Sequence, residues 1–161
     1  MRGEKESMSE VIIYSDGGSR GNPGPAGIGA VIIEKREKIH LRQGYGGQVK
    51  EKRDEVIHEI SEYIGEATNN QAEYRALVAA LKWVKENIKE ISGIQCFLDS
   101  ELVVKQLNGH YKMKNSGLKE LFWEIRDLIL EFQGKINFHY IARAQNKQAD
   151  KLVNLAIDRG L

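Results

Sequence analysis

Two apolar runs in this chain each end in an aspartate, and that pattern limits how the chain can fold. Val11-Ile12-Ile13-Tyr14-Ser15 runs into Asp16, and Ile94-Gln95-Cys96-Phe97-Leu98 runs into Asp99. Short apolar runs of this kind read as buried strands. Glu73 is placed as awkwardly, sharing a helical stripe with Leu77, Ala80 and Val84, the face that should meet the core. Asp150 opens the last helical stretch beside its apolar face. Charged groups are rarely buried unless paired or bound to a metal. Four acids gathered at one sheet edge would repel one another, and divalent cations relieve that repulsion best. Asp16, Glu73, Asp99 and Asp150 are therefore the expected ligands of a two-metal phosphoryl-transfer site.

The remaining elements follow from periodicity and turn signals. Residues 1–10 are polar and charged and read as a flexible arm, with a single domain over 11–161. Val11 to Gly17 is the first strand and Gly27 to Glu34 the second. The loop between them is rich in glycine and holds both prolines, so the two should pair as an antiparallel hairpin. Asp54 to Ile64 fits both a strand and a helix; its alternation of Val56, His58, Ile60, Glu62 and Ile64 favours the strand. Tyr45-Gly46-Gly47 reads as a hairpin tip between Ile39/Leu41 and Val49, so an extended hairpin is expected near 39–57. Thr68-Asn69-Asn70 caps a helix over Gln71 to Asn87. A strand over 94–98, a short helix from Ser100 to Leu107 and a longer one from Gly117 to Phe132 come next. A strand from Lys135 to Ile141 and a helix capped by Asn146 complete the chain. Trp83 and Trp123 sit at helical spacing and read as core. The expected fold is a mixed α/β domain: a five-stranded sheet with helices on both faces.

Bulk properties exclude several functions. The net charge is +1, and Lys105 to Lys151 carries a mild basic bias. The lone Cys96 lies within an apolar run and suits a reducing compartment, so a cytoplasmic location is expected. The amino-terminal residues lack a signal-peptide pattern, and no apolar stretch reaches membrane-spanning length. No Gly-Lys-Ser/Thr follows the glycine-rich loop, which rules out a P-loop. His40, His58 and His110 have no clustered partners, which disfavours zinc.

Several blocks resemble type 1 ribonucleases H, in that family's order. They are Tyr14-Ser15-Asp16-Gly17-Gly18-Ser19-Arg20-Gly21-Asn22-Pro23-Gly24-Pro25-Ala26-Gly27, Thr68-Asn69-Asn70-Gln71-Ala72-Glu73-Tyr74, Asp99-Ser100 and Asn146-Lys147-Gln148-Ala149-Asp150. The resemblance spans roughly 11–158. It implies a ribonuclease H-like fold whose first three strands are antiparallel and whose last two run parallel to the first. It also implies hydrolysis of the RNA strand of RNA/DNA hybrids by two Mg²⁺ ions, with Mn²⁺ as a substitute, leaving 3′-hydroxyl and 5′-phosphate ends. On that resemblance Asp16 would bridge both ions, Glu73 and Asp99 would bind one, and Asp150 would hold the other more loosely. The partner it implies is the hybrid duplex, bound by a monomer with no obligatory protein partner and no membrane.

The resemblance also assigns substrate contacts. Asn22, Asn70 and Gln71 would meet sugars and base edges, and Thr68 with Asn22 would grip a DNA-strand phosphate. The backbone of Gly17, Gly18 and Gly21 would approach 2′-hydroxyls. Two departures from the family stand out. Many members carry a histidine between the last strand and helix; here Arg143 occupies that loop as a permanent cation able to ride on the scissile phosphate. The long basic helix of some members is reduced to His110-Tyr111-Lys112-Met113-Lys114-Asn115, where Lys112 and Lys114 are the candidate phosphate contacts. Two rivals stay open at this point: a hybrid-binding module without catalysis, and another nuclease on the same fold.

Overall fold

A computed structural model describes residues 8–41, 44 and 46–161. Strands β1 (Ser9–Ser19), β2 (Gly24–Leu41) and β3 (Gln48–Ala67) lead into helix α1 (Asn69–Asn87). Strand β4 (Ile91–Leu98), helices α2 (Glu101–Leu107) and α3 (Ser116–Glu131), strand β5 (Ile136–Tyr140) and helix α4 (Lys147–Gly160) follow. The sheet order is β3-β2-β1-β4-β5. β1 pairs antiparallel with β2, and β2 with β3, whereas β4 lies parallel to β1 and β5 parallel to β4. This is the mixed sheet expected from the sequence, with the ambiguous 54–64 segment inside β3.

One face of β1 presents Val11 and Ile13 to Leu77, Leu81 and Val84 of α1, all fully buried. Each such aliphatic side chain stabilises the fold by about 1.5–3 kcal/mol through burial. α3 joins this layer through Leu118, Ile125 and Leu128, and salt bridges Lys82–Glu124 (2.5 Å) and Lys85–Glu131 bind its outer edge to α1. α4 covers the opposite face through Ala149, Val153, Ala156 and Ile157. Glycines set how closely α4 can lie: a Cβ on Gly29 would sit 2.4 Å from the Ala149 carbonyl oxygen, and one on Gly27 2.9 Å from that of Val153. Two helices thus press the carboxyl end of β1 from both sides.

Three details differ from the sequence reading. β1 begins at Ser9, inside the span expected to be an arm, because Ser9 donates its N–H to the Glu90 carbonyl and its hydroxyl to buried Glu34. Residues 1–7 and Tyr45 lie outside the described residues. Trp123 is 61% exposed, since it lies one position past Phe122 and so about 100° off the buried stripe; Trp83 is half-buried and stacks on His58. Asn146 precedes α4 but makes no side-chain cap; its amide donates instead to the Ser15 carbonyl, 2.9 Å away. β2 and β3 pair out to Leu41 opposite Gln48. Among the described residues, no helix is long and apolar enough to cross a membrane.

Candidate active site

Asp16 lies opposite Gly29 in the sheet, just where α4 comes down on β2. The next residue, Gly17, faces the other helix. A Cβ there would lie 2.1 Å from the Ala72 carbonyl carbon and 2.4 Å from the Glu73 nitrogen. The missing side chain therefore lets α1 touch β1, which delivers Glu73 to Asp16. The parallel pairing of β4 with β1 ends at Leu98 opposite Ser15, so Asp99 emerges beside Asp16. Ligand oxygens of Asp16, Glu73 and Asp99 all lie within 4.8 Å of one another. Asp150, in the first turn of α4, lines the same cleft but stands outside that trio, its carboxylate paired with Arg143 (Nη2–Oδ1 3.2 Å).

The cluster is electrostatically uncomfortable. Asp16 and Glu73 are 7% and 8% exposed. Burial, then Asp99, and to a lesser extent Asp150, push the Asp16 carboxyl up to about 7, against opposing hydrogen bonds from Glu73 and the Gly17 main chain. Burial, then Asp16 and Asp99, hold the Glu73 carboxyl well above the usual range. Burial also raises Asp99, against the opposing pull of Arg143. Glu73 Oε2 is buried with no hydrogen-bond partner. A lone pair left unmet in a buried carboxylate is costly unless something outside the protein meets it. An all-oxygen donor set of clustered carboxylates suits a hard divalent cation, so these residues fit a metal site.

The cleft, of about 500 Å³, gathers the four acids with Gly17, Gly18, Asn70 and Arg143. Other expected contacts are elsewhere. Thr68 and Gln71 form a capping box at the start of α1: the Thr68 hydroxyl accepts from the Gln71 N–H and Gln71 Oε1 from the Thr68 N–H. Asn22 Oδ1 accepts from the Asn69 N–H at 3.0 Å, and Gly21 turns the chain at φ +109°. These residues shape the rim instead of lining the cleft. Lys112 and Lys114 are exposed ahead of α3, also outside the cleft.

The cleft also includes Ser19, Arg20, Asn69, Ser100 and Asn154, which sequence reasoning did not place there. Asn154 was within reach, being one turn beyond Asp150 on the same helix face. Ser100 follows Asp99 directly and caps α2 through its hydroxyl. Asn69 Oδ1 accepts from the Ser19 N–H at 2.9 Å, a contact across 50 residues that has no local signature.

A family profile described as Reverse transcriptase-like matches residues 14–156. A ribonuclease H of Ruthia magnifica subsp. Calyptogena magnifica is 31% identical over 166 residues, covering 94% of this chain and 98% of that one. The chain belongs to the type 1 ribonuclease H family. An RNase H1 isolated from compost, known from its crystal structure, is 42% identical with a TM-score of 0.75, covering 94% of this chain and 97% of its own. That RNase H1 has also been crystallised in complex with an RNA/DNA hybrid. A bifunctional protein of Mycobacterium tuberculosis is 39% identical over 150 residues, and this chain spans only 36% of its length. The fold expected for the family is the fold found, a mixed sheet with β3 at one edge.

Proposed function

We propose that this chain is a metal-dependent endoribonuclease that hydrolyses the RNA strand of RNA/DNA hybrids, leaving 3′-hydroxyl and 5′-phosphate ends. The observation that carries the reading is the buried trio of Asp16, Glu73 and Asp99, with an unpartnered Glu73 oxygen, in an open cleft. A module that only bound nucleic acid would gain nothing from such a cluster. Asp16, Glu73, Asp99 and Asp150 would hold two Mg²⁺ ions, or Mn²⁺ in their place. Ions so held supply an activated water and stabilise the leaving 3′-oxygen. On the family resemblance Asp16 would be the ligand shared between the ions; Asp99 and Asp150 both raise its carboxyl.

The other residues position the substrate. Arg143, beside Asp150, keeps its charge at any working pH and neutralises developing charge on the phosphate or leaving oxygen. The main chain at Gly17 and Gly18, with Asn70, lines the wall where 2′-hydroxyls are read. The capping duties of Gln71 and Asn22 use their side-chain carbonyls and leave both NH₂ groups to donate to sugars and bases. The Thr68 hydroxyl accepts in its cap and keeps its proton for a DNA-strand phosphate, while Lys112 and Lys114 add weak, salt-sensitive contacts. One copy supplies every acid, which supports a monomer, and the buried free Cys96 supports a reducing cytoplasmic setting.

Strand-labelled duplexes test this. With Mg²⁺, an RNA/DNA hybrid is cut in its RNA strand, DNA/DNA resists, and a ribose stretch within a DNA duplex restores cleavage. Equal cutting of DNA/DNA would identify a different nuclease on this fold.

A further inference from the structure

The cleft does not stop at the acids. It continues along α4 past Val153, Asn154 and Ile157 to Arg20, in the turn after β1. Arg20 and Arg143 are the cations among the described lining residues, and Arg143 stands at the acids themselves, beside Asp150. Arg20 is anchored along its main chain and at its tip. Its N–H donates to the Pro25 carbonyl at 2.8 Å. Gly24 lets the turn close on the Arg20 carbonyl oxygen, which a Cβ there would meet at 2.3 Å. The guanidinium Nη2 meets Asp158 Oδ1 of α4 at 2.6 Å, and the side chain stays 42% exposed. That contact occupies one nitrogen of a fork with five N–H donors, a shape that matches a phosphodiester.

Two rulers give its distance from the acids. The chain runs extended from Asp16 to Ser19 and turns at Arg20, a span of about 13 Å at most. Eight residues of α4 separate Asp150 from Asp158, about 12 Å. The strand and helix lie against each other at Gly18 and Val153, so the agreement is meaningful. At about 3.4 Å of duplex axis per nucleotide of one strand, Arg20 stands about three to four nucleotides away. We propose that Arg20 binds a backbone phosphate of the cleaved strand there and fixes its register, with Asp158 setting the direction of the guanidinium. The inference rests on the hybrid-cleaving reading above.

The test compares Arg20→Ala, Arg20→Lys and Asp158→Asn on one hybrid. Arg20→Ala raises KM about 5- to 20-fold with kcat within about two-fold, and lowers the slope of log KM against log salt by about one. Arg20→Lys recovers part of the loss. Asp158→Asn keeps the guanidinium and shifts KM less than about three-fold, lost aim opposing relieved repulsion. A single neutral methylphosphonate, walked along the RNA strand, weakens the parent at one position about three to four nucleotides from the cut, and Arg20→Ala is insensitive there. If Arg20→Ala and Asp158→Asn act alike on KM and melting temperature, the pair is only a clip between turn and helix and the proposal falls. An unchanged KM and salt slope in Arg20→Ala overturns it too. Anisotropy of uncut hybrid in EDTA carries the same salt-slope comparison without catalysis. A chain that cut nothing would sink the nuclease reading, while Arg20 would still stand or fall on that slope.

Discussion

The two ends of β2 show how differently one protein can treat charge. At the end beside β1, acids are buried, crowded and short of partners: Glu73 reaches buried Asp16 from α1, and Glu73 Oε2 has no hydrogen-bond partner. At the far end, charges of the β2–β3 hairpin lie in the open and answer one another among the described residues. Arg53 meets Glu51 at 2.9 Å and Lys52 meets Glu37 at 3.6 Å. Exposed pairs of this kind contribute about 0–1 kcal/mol each and discourage edge-to-edge aggregation. The first arrangement is costly to keep and needs a ligand to make sense; the second is self-sufficient. That contrast locates the chemistry.

The strongest way to break the comparison is to remove a crowded acid. Glu73→Gln keeps the shape and deletes a ligand, so hybrid cleavage falls on the order of 10³-fold or more while hybrid binding persists. A folded variant that turns over near the parent rate defeats the metal assignment. Next comes the contact that makes the crowding possible. Gly17→Ala forces a Cβ against the Ala72 and Glu73 backbone; overpacking of this kind costs about 1–3 kcal/mol and here pushes α1 off β1. Melting temperature drops by several degrees and cleavage by about 10- to 100-fold, read by calorimetry and single-turnover assay. The smallest effect belongs to the hairpin. Replacing Arg42–Arg53 by Asn-Gly leaves hybrid cleavage within a few-fold of the parent. A large rise in KM with a flatter salt dependence would instead make the hairpin a substrate handle.

The same contrast explains what the sequence could show. Strand ends that terminate in Asp16 and Asp99, and a helical stripe that includes Glu73, are local patterns, so the acids and the order of elements were legible. Contacts between distant segments were not. The glycine-rich strand end signals that some backbone approaches closely, but not whether it is a nucleic acid or a helix; at Gly17 it is α1. Asn146 carries every mark of a helix cap, yet its amide is drawn to Ser15, 131 residues away. Trp123 fits helical spacing, but spacing fixes a stripe only once its neighbours are known, and it falls outside.

Melting of the metal-free chain against pH addresses the central claim most directly. Asp16 has its carboxyl raised from an ordinary 3.8 to about 7, so between those values the folded state holds a proton the unfolded state has released. Stability therefore falls as pH rises through that window. In EDTA the melting temperature should decline from about pH 4 to about pH 7, and millimolar Mg²⁺ at the upper pH should restore it by binding the folded state. Asp16→Asn should show a shallower decline and little response to Mg²⁺. A parent chain whose melting is flat across this range in EDTA and indifferent to Mg²⁺ would contradict the account, because its acids would then be neither crowded nor waiting for a cation.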